Sequence, residues 1–213
     1  MSAPLITRGE DGLIKTDQKM PASFFPIVIG ISVAMGQALA WPIYLFGDRQ
    51  AYDAKIDILA SLNLGWLYLA LLVVYYTKQL VSQHASFVRN HSNVSLPNHT
   101  VHKVFLPQGQ KQLPYVLLEE DGAVGKANRA QRGFENLMEY LPMYLVYLMA
   151  IGFVYPFPAF VNAIVFFSAR IKYAFDYTNS TDARNTGFAL FGMAQACLEG
   201  LLIIAGVKAL LRA

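Results

Sequence analysis

Charge is what this sequence has least of. Asp, Glu, Lys and Arg make up 15% of its 213 residues, against about 25% in a soluble domain, too few to cover a water-facing surface. Cysteine is nearly absent: the single Cys197 excludes an internal disulfide and any Cys-rich zinc or iron–sulfur site. Basic clusters are missing as well. The net charge is only +3, its cations are scattered, and no nucleic-acid partner is expected. The polar tail 1–23 mixes Arg8, Lys15 and Lys19 with Glu10, Asp11 and Asp17, which is not the n-region of a signal peptide. Strand-type alternation is also lacking. What the chain has in excess is apolar residues, 55% of the total, with a mean hydropathy of +0.36. They come in uncharged blocks of about 20 residues, the length that crosses roughly 30 Å of hydrocarbon. Disordered, fibrous and disulfide-scaffold classes are excluded, and an all-α integral membrane protein is expected, because an open sheet cannot satisfy its edges in lipid.

The first block, 24–46, is uncharged and holds Pro26 and Pro42. It predicts an extra N-terminal transmembrane helix, with an interfacial or re-entrant segment as the alternative. The second, Ile58–Thr77, is closed by Lys78. Residues 81–128 are polar and carry all four histidines and three prolines, which reads as a long loop. No charge falls between Tyr140 and Ala169, too long a run for one span. Pro156 and Pro158 divide it into an αα-hairpin of about 127–154 and 159–178. The last block, Thr186–Val207, contains one charge, Glu199. The expectation is four helices within 56–211, preceded by the extra helix.

Lys and Arg in the loops set the orientation. Arg89, Lys103, Lys111, Lys126, Arg129 and Arg132 lie in 81–133, and Arg170, Lys172 and Arg184 in 170–184. The opposite side has Arg49, Lys55, Lys208 and Arg212. The long loop and the 179–185 turn are expected in the cytosol. Triplets of glycosylation type at Asn93, Asn98 and Asn179 fall on that side and would matter only in an inverted topology.

Polar groups inside a span are costly and point to function. At 100° per residue, Arg129, Arg132, Asn136, Glu139 and Tyr140 fall within an arc of about 100°. One face therefore presents guanidinium forks, an amide, a carboxylate and a phenol, and Pro142 should kink the helix just beyond. On the next helix Arg170, Tyr173 and Tyr177 share a face, and Arg184 lies near it if helicity continues through the turn. Ion pairing that merely holds the bundle, such as Arg132 with Glu139, is the alternative. Two stripes at one depth favour a binding site.

These strings resemble the membrane-associated proteins in eicosanoid and glutathione metabolism, the MAPEG family, which includes microsomal glutathione transferases, leukotriene C synthase and prostaglandin E synthase. The family string of Arg, Asn, Glu and Pro stands here as Arg132, Asn136, Glu139 and Pro142, with Tyr140 as in the leukotriene C synthase branch. A second string runs Ala169-Arg170-Ile171-Lys172-Tyr173, then Tyr177, then Arg184. The resemblance covers about residues 56–211. It implies a four-helix unit assembled as a homotrimer in the endoplasmic reticulum, with glutathione bound between subunits near the cytosolic face. Arg132, Asn136, Glu139, Tyr140, Tyr173 and Tyr177 would contact glutathione, Arg129 and Arg170 would add to that site, and Arg184 would activate the thiol. The implied activity is that of a glutathione transferase attacking lipophilic electrophiles, with some peroxidase activity. Alternatives are a lipid-mediator synthase or isomerase acting on an oxygenated fatty acid, and a non-catalytic lipid-binding scaffold.

The chain departs from the family pattern in three places. Arg129-Ala130-Gln131 is a string that the family has at the motif arginine itself, as a three-residue insertion would produce. Gln83 and His84 stand where the leukotriene branch has a basic pair. The 81–128 loop and the extra helix exceed the pattern. Among weaker signals, His84, His91, His99 and His102 read as a solvated loop, not a metal site, and Cys197 as a small buried hydrophobe. Gly192, Ala196 and Gly200 form a stripe that lets helices approach, with Glu199 beside it as a pairing residue at a subunit interface. Tyr75, Tyr76, Tyr144 and Tyr147 read as packing groups.

Overall fold

In the computed structural model, residues 19–94, 100–103 and 117–212 are described. His99, the Asn98 triplet, Lys111 and nearly all of the polar tail lie outside them. The helices are α1 (Phe24–Phe46), α2 (Arg49–Ser61), α3 (Gly65–His91), α4 (Gly122–Val154), α5 (Pro156–Asn179) and α6 (Asn185–Leu210). Between α3 and α4, β1 (His102–Lys103) pairs antiparallel with β2 (Leu117–Leu118), His102 opposite Leu118. The protein is an all-α integral membrane bundle. By length and composition α1, α4 and α6 can each cross a membrane, whereas α2 and α3 qualify only as a pair, bent by 95° at the break between them. The 24 residues of α5 reach about 36 Å, with Arg170, Lys172 and Asp176 in the second half.

Several boundaries differ from the sequence expectation. The block read as one helix from Ile58 is cut: Asp48 caps α2 by accepting from the Ala51 N–H at 3.1 Å, and Asn63 in a left-handed conformation (φ 55) ends it. The long loop is shorter than 81–128, because α3 continues to His91 and α4 begins at Gly122. A sparse apolar stripe carries that last stretch of α3: Val81, Ala85 and Val88 are all buried among polar neighbours. His84 and His91 are therefore helical, not loop residues. Cys197 is exposed, not buried. Pro156 and Pro158 do not delay α5 to residue 159; they occupy its first turn, where a missing N–H costs nothing.

The residues group into two compact units, one of 76–141 and 168–191 with Lys19 and Met20, the other of 21–75, 142–167 and 192–213. In the second, Tyr144 stacks on Phe166 with ring centroids 3.8 Å apart, and its hydroxyl donates to Asn162 Oδ1 at 2.9 Å. Asn162 Nδ2 donates onward to the Ala194 carbonyl at 2.8 Å, so one buried polar chain links α4, α5 and α6. Trp66 meets Phe157 edge-on at 5.1 Å. No residue of α1 is buried; Tyr44 ties it to α2 through a 2.6 Å bond to Asp53.

In the first unit, Ala85 and Val88 pack with Ala130 and Phe134. Asn128 is buried and latches the loop: it accepts from the Val101 N–H and donates to the Val101 and Glu119 carbonyls at 2.7–2.9 Å. Lys19 Nζ donates to the Asn90 carbonyl at 2.8 Å and also to Asn93 Oδ1, and the Met20 N–H donates to Asn90 Oδ1 at 2.8 Å. The residues leading into α1 thus touch the end of α3.

Candidate functional site

The polar stripes of α4 and α5 both fall in the first unit, and Arg170 is their centre. Its side chain leaves α5 one residue past Ala169 and is 1% exposed. Nη1 donates to Asn136 Oδ1 on α4 at 3.1 Å. The guanidinium carbon lies 5.8 Å from the Tyr140 ring centre, 5.3 Å from Tyr173 and 4.7 Å from Phe191. Three aromatic faces thus supply quadrupole attraction to the cation. They cannot replace hydrogen bonds to its edge: Nε and Nη2 are both buried without a partner. Native proteins leave few such groups unpaired, and a charged one is the most costly. Glu139 is near enough to act on the Arg170 charge but does not bond it.

Arg132 and Glu139 form a second, more open group. Arg132 Nη1 donates to Glu139 Oε1 at 2.7 Å, with 48% and 51% of the side chains exposed. It also lies 3.6 Å from Glu135. The internal ion pair that the sequence allowed is formed, in water's reach and on the same helix as Asn136.

Tyr173 is buried and Tyr177 half-buried, their rings tilted with centroids 5.7 Å apart. Arg184 sits over the Tyr177 ring at 4.8 Å. Helicity does not continue to it, because α5 stops at Asn179 and residues 181–184 form a turn. Arg184 reaches Tyr177 because the turn doubles the chain back, not because the two share a meridian. Arg129 stands apart from the others: Nη1 donates to the Glu120 carbonyl at 2.6 Å and Nε to the Thr178 carbonyl at 3.3 Å. It ties the loop to the C-terminal end of α5, where cations are favoured.

Sequence reasoning missed two residues here. Gly187 opens α6 so close to α5 that a Cβ on it would lie 2.7 Å from the Tyr173 backbone nitrogen; the third residue of a new helix gives no such signal. Phe191 closes the aromatic box and stands edge-on to Tyr140 at 5.0 Å, but in the sequence it is one more apolar residue. His84, on α3, bonds Thr178 Oγ1 at 2.9 Å and stacks on Phe175 at 4.0 Å. Thr178 Oγ1 already donates to the Ala174 carbonyl, so it accepts from His84. Among the described residues no three His, Cys, Asp or Glu side chains are grouped to hold a metal.

The arrangement offers a buried, incompletely paired guanidinium, an exposed cation–anion pair along the same helix, and a second guanidinium over a phenol. It suits a ligand that brings both carboxylate and ammonium groups. Comparison with protein families matches residues 67–205 to the MAPEG family, from the first turn of α3 into the last part of α6. Comparison with the curated proteins gives no match.

Proposed function

Since the chain belongs to the MAPEG family, we propose that it is a glutathione transferase of the microsomal type, working as a homotrimer in the endoplasmic reticulum membrane with its site towards the cytosol. The observation that supports this most is Arg170, buried with Nε and Nη2 free of partners. A carboxylate of glutathione fills that fork with charge-assisted bonds, while Asn136 holds the other edge. Glu139 turns from Arg132 to the α-ammonium of glutathione, freeing Arg132 for the second carboxylate. Tyr140, Tyr173 and Tyr177 line the site, and Arg129 acts through the loop it anchors.

Arg184 stabilises the sulfur as an anion. A free thiol has a pKa of about 8.5, and lowering it by about two units takes roughly 2.7 kcal/mol. One charge-assisted bond from a guanidinium supplies about 1.5–3 kcal/mol. The thiol proton passes to solvent. The thiolate pair then attacks an electrophilic carbon, the C–S bond forms, and a halide leaves with its electrons, or an epoxide opens to an alkoxide that takes up a proton. The electrophile is lipophilic and arrives from the bilayer.

The test is Arg184→Ala in detergent-purified protein. Bound glutathione should lose its thiolate absorbance at neutral pH, and the rate with a generic aryl halide should fall about 10- to 100-fold, with partial recovery as pH rises towards the free-thiol value. An unchanged pH–rate profile would make Arg184 a membrane-side anchor only. Failure of the intact protein to turn over aryl halides and hydroperoxides, despite binding lipid, would replace the transferase with a scaffold. Turnover confined to one oxygenated fatty acid would replace it with a synthase or isomerase.

A further inference from the structure

Two polar side chains stand in the middle of membrane-crossing helices and face outwards. Gln37 follows Phe24 by 13 residues on α1 and Glu199 follows Asn185 by 14 on α6, depths of about 20 and 21 Å. Both are exposed, and among the described residues neither has a hydrogen-bond or ion-pair partner. In hydrocarbon an amide and a carboxylate left this way are costly.

The residues leading to each are spaced alike. Gly30, Ala34 and Gln37 lie on one face of α1, within an arc of about 60°. Gly192, Ala196 and Glu199 repeat that spacing and that arc on α6. A Cβ built on Gly30 or on Gly192 meets nothing within 4 Å, so both shallow grooves are open. Each is a small-xxx-small seam of the kind that lets membrane helices approach closely.

Direction and register also agree. Taking the bent α2–α3 pair as one crossing, and α5 as the return between α4 and α6, the crossings in order are α1, α2–α3, α4, α5 and α6. The first and fifth crossings run the same way, so α1 and α6 can pair in parallel with Gly30 opposite Gly192 and Gln37 opposite Glu199. In a single chain the two faces are left uncovered. We propose that α1 of one copy packs in parallel against α6 of a second copy, with the Gln37 amide donating to the Glu199 carboxylate at mid-membrane. A second copy is the occupant because both halves of the seam are on every chain, matched in depth, spacing and hydrogen-bond character. Such a head-to-tail contact closes into a ring when its rotation allows. Since α1 precedes the matched residues 67–205 and Gly192–Glu199 lie within them, the contact clasps the matched part with a helix from outside it. The proposal does not rest on glutathione binding.

The test is disulfide cross-linking of the full chain in native membranes, with Cys197→Ser as background. Two differently tagged chains are co-expressed, one with Ala34→Cys and the other with Ala196→Cys, and oxidised with copper phenanthroline. The expected result is a cross-linked species carrying both tags. Either chain alone should stay monomeric on a denaturing gel. Met35→Cys, about 160° round α1 from Gln37, should give at least tenfold less product with Ala196→Cys. Gln37→Leu should lower the yield several-fold, and Gln37→Glu with Glu199→Gln should restore it, which separates loss of the polar contact from loss of folding. Cross-linking of Ala34→Cys to itself would overturn the proposal in favour of an α1–α1 contact. So would a disulfide within one chain carrying both cysteines, or persistence of free thiols in the mixed pair.

Discussion

Two clusters of buried polar groups on α4, α5 and α6 end differently. Around Asn162 each donor meets an acceptor: the Tyr144 hydroxyl gives to Asn162 Oδ1 and Asn162 Nδ2 to the Ala194 carbonyl, and no buried polar atom there is left over. Around Arg170 one bond is made, to Asn136, and two nitrogens of a buried cation have none. The same three helices, with the same supply of amides and phenols, satisfy a neutral network fully and a charged fork only in part. A fold selected for packing alone would treat them alike, since a half-satisfied network is worse than an apolar core. On the proposed function, the saturated cluster belongs to the bundle and the open one to the ligand.

The sharpest way to break that contrast is Arg170→Leu. Glutathione affinity should fall at least 100-fold by calorimetry, because two charge-assisted bonds of about 1.5–3 kcal/mol each are lost. The thermal stability of the ligand-free protein should hold or rise, since an incompletely paired buried charge gives way to an apolar side chain. A marked loss of ligand-free stability would make Arg170 a strut like Asn162. The mirror experiment is Asn162→Ala. It strands the Tyr144 hydroxyl and the Ala194 carbonyl, so the unfolding free energy in detergent should drop by about 1–3 kcal/mol, while the glutathione dissociation constant stays within about twofold.

Periodicity made part of this contrast legible in the sequence. The faces carrying Arg132, Asn136, Glu139 and Tyr140, and Arg170 with Tyr173, follow from 100° per residue and need only that the segments be helical. The blocks at 24–46 and 186–207 were legible for the same reason, as lengths of uncharged chain. What periodicity could not show is what each group does with its neighbours. Arg129 and Arg132 look alike on a helical wheel, yet one holds two backbone carbonyls and the other a carboxylate. The end of α3 was hidden because Val81, Ala85 and Val88 make a stripe too thin to outweigh the polar residues between them. A single Asp before a polar stretch is a weak cap signal, so α2 and its bend are not legible in the sequence. Gly187 is a property of two helices at once, and no single segment encodes it.

Gly187→Ala is a smaller perturbation of the open cluster. The added Cβ would sit within 3 Å of Tyr173 backbone atoms, and overpacking of this kind costs about 1–3 kcal/mol. Because the clash pushes α6 from α5 where Phe191 and Tyr173 flank Arg170, glutathione binding should weaken along with stability. Gly206→Ala, further along the same helix where a Cβ would meet nothing within 4 Å, should change neither.

The smallest expected effect on stability is that of Glu139→Gln, and it is the most discriminating for that reason. The Arg132–Glu139 pair is short but about half exposed on both sides, and an exposed ion pair contributes about 0–1 kcal/mol. Ligand-free unfolding should therefore shift by less than about 1 kcal/mol, and the residual shift should vanish in high salt as the charges are screened. If Glu139 is there to receive an ammonium, glutathione affinity should nonetheless fall about tenfold, the worth of one charge-assisted bond of roughly 1.5 kcal/mol. A pair that costs nothing to break in the free protein and tenfold to lose in the complex is a resting partner for two ligand-binding charges. Equal losses in both measurements would return Arg132 and Glu139 to the scaffold, leaving Arg170 as the only polar anchor on that face.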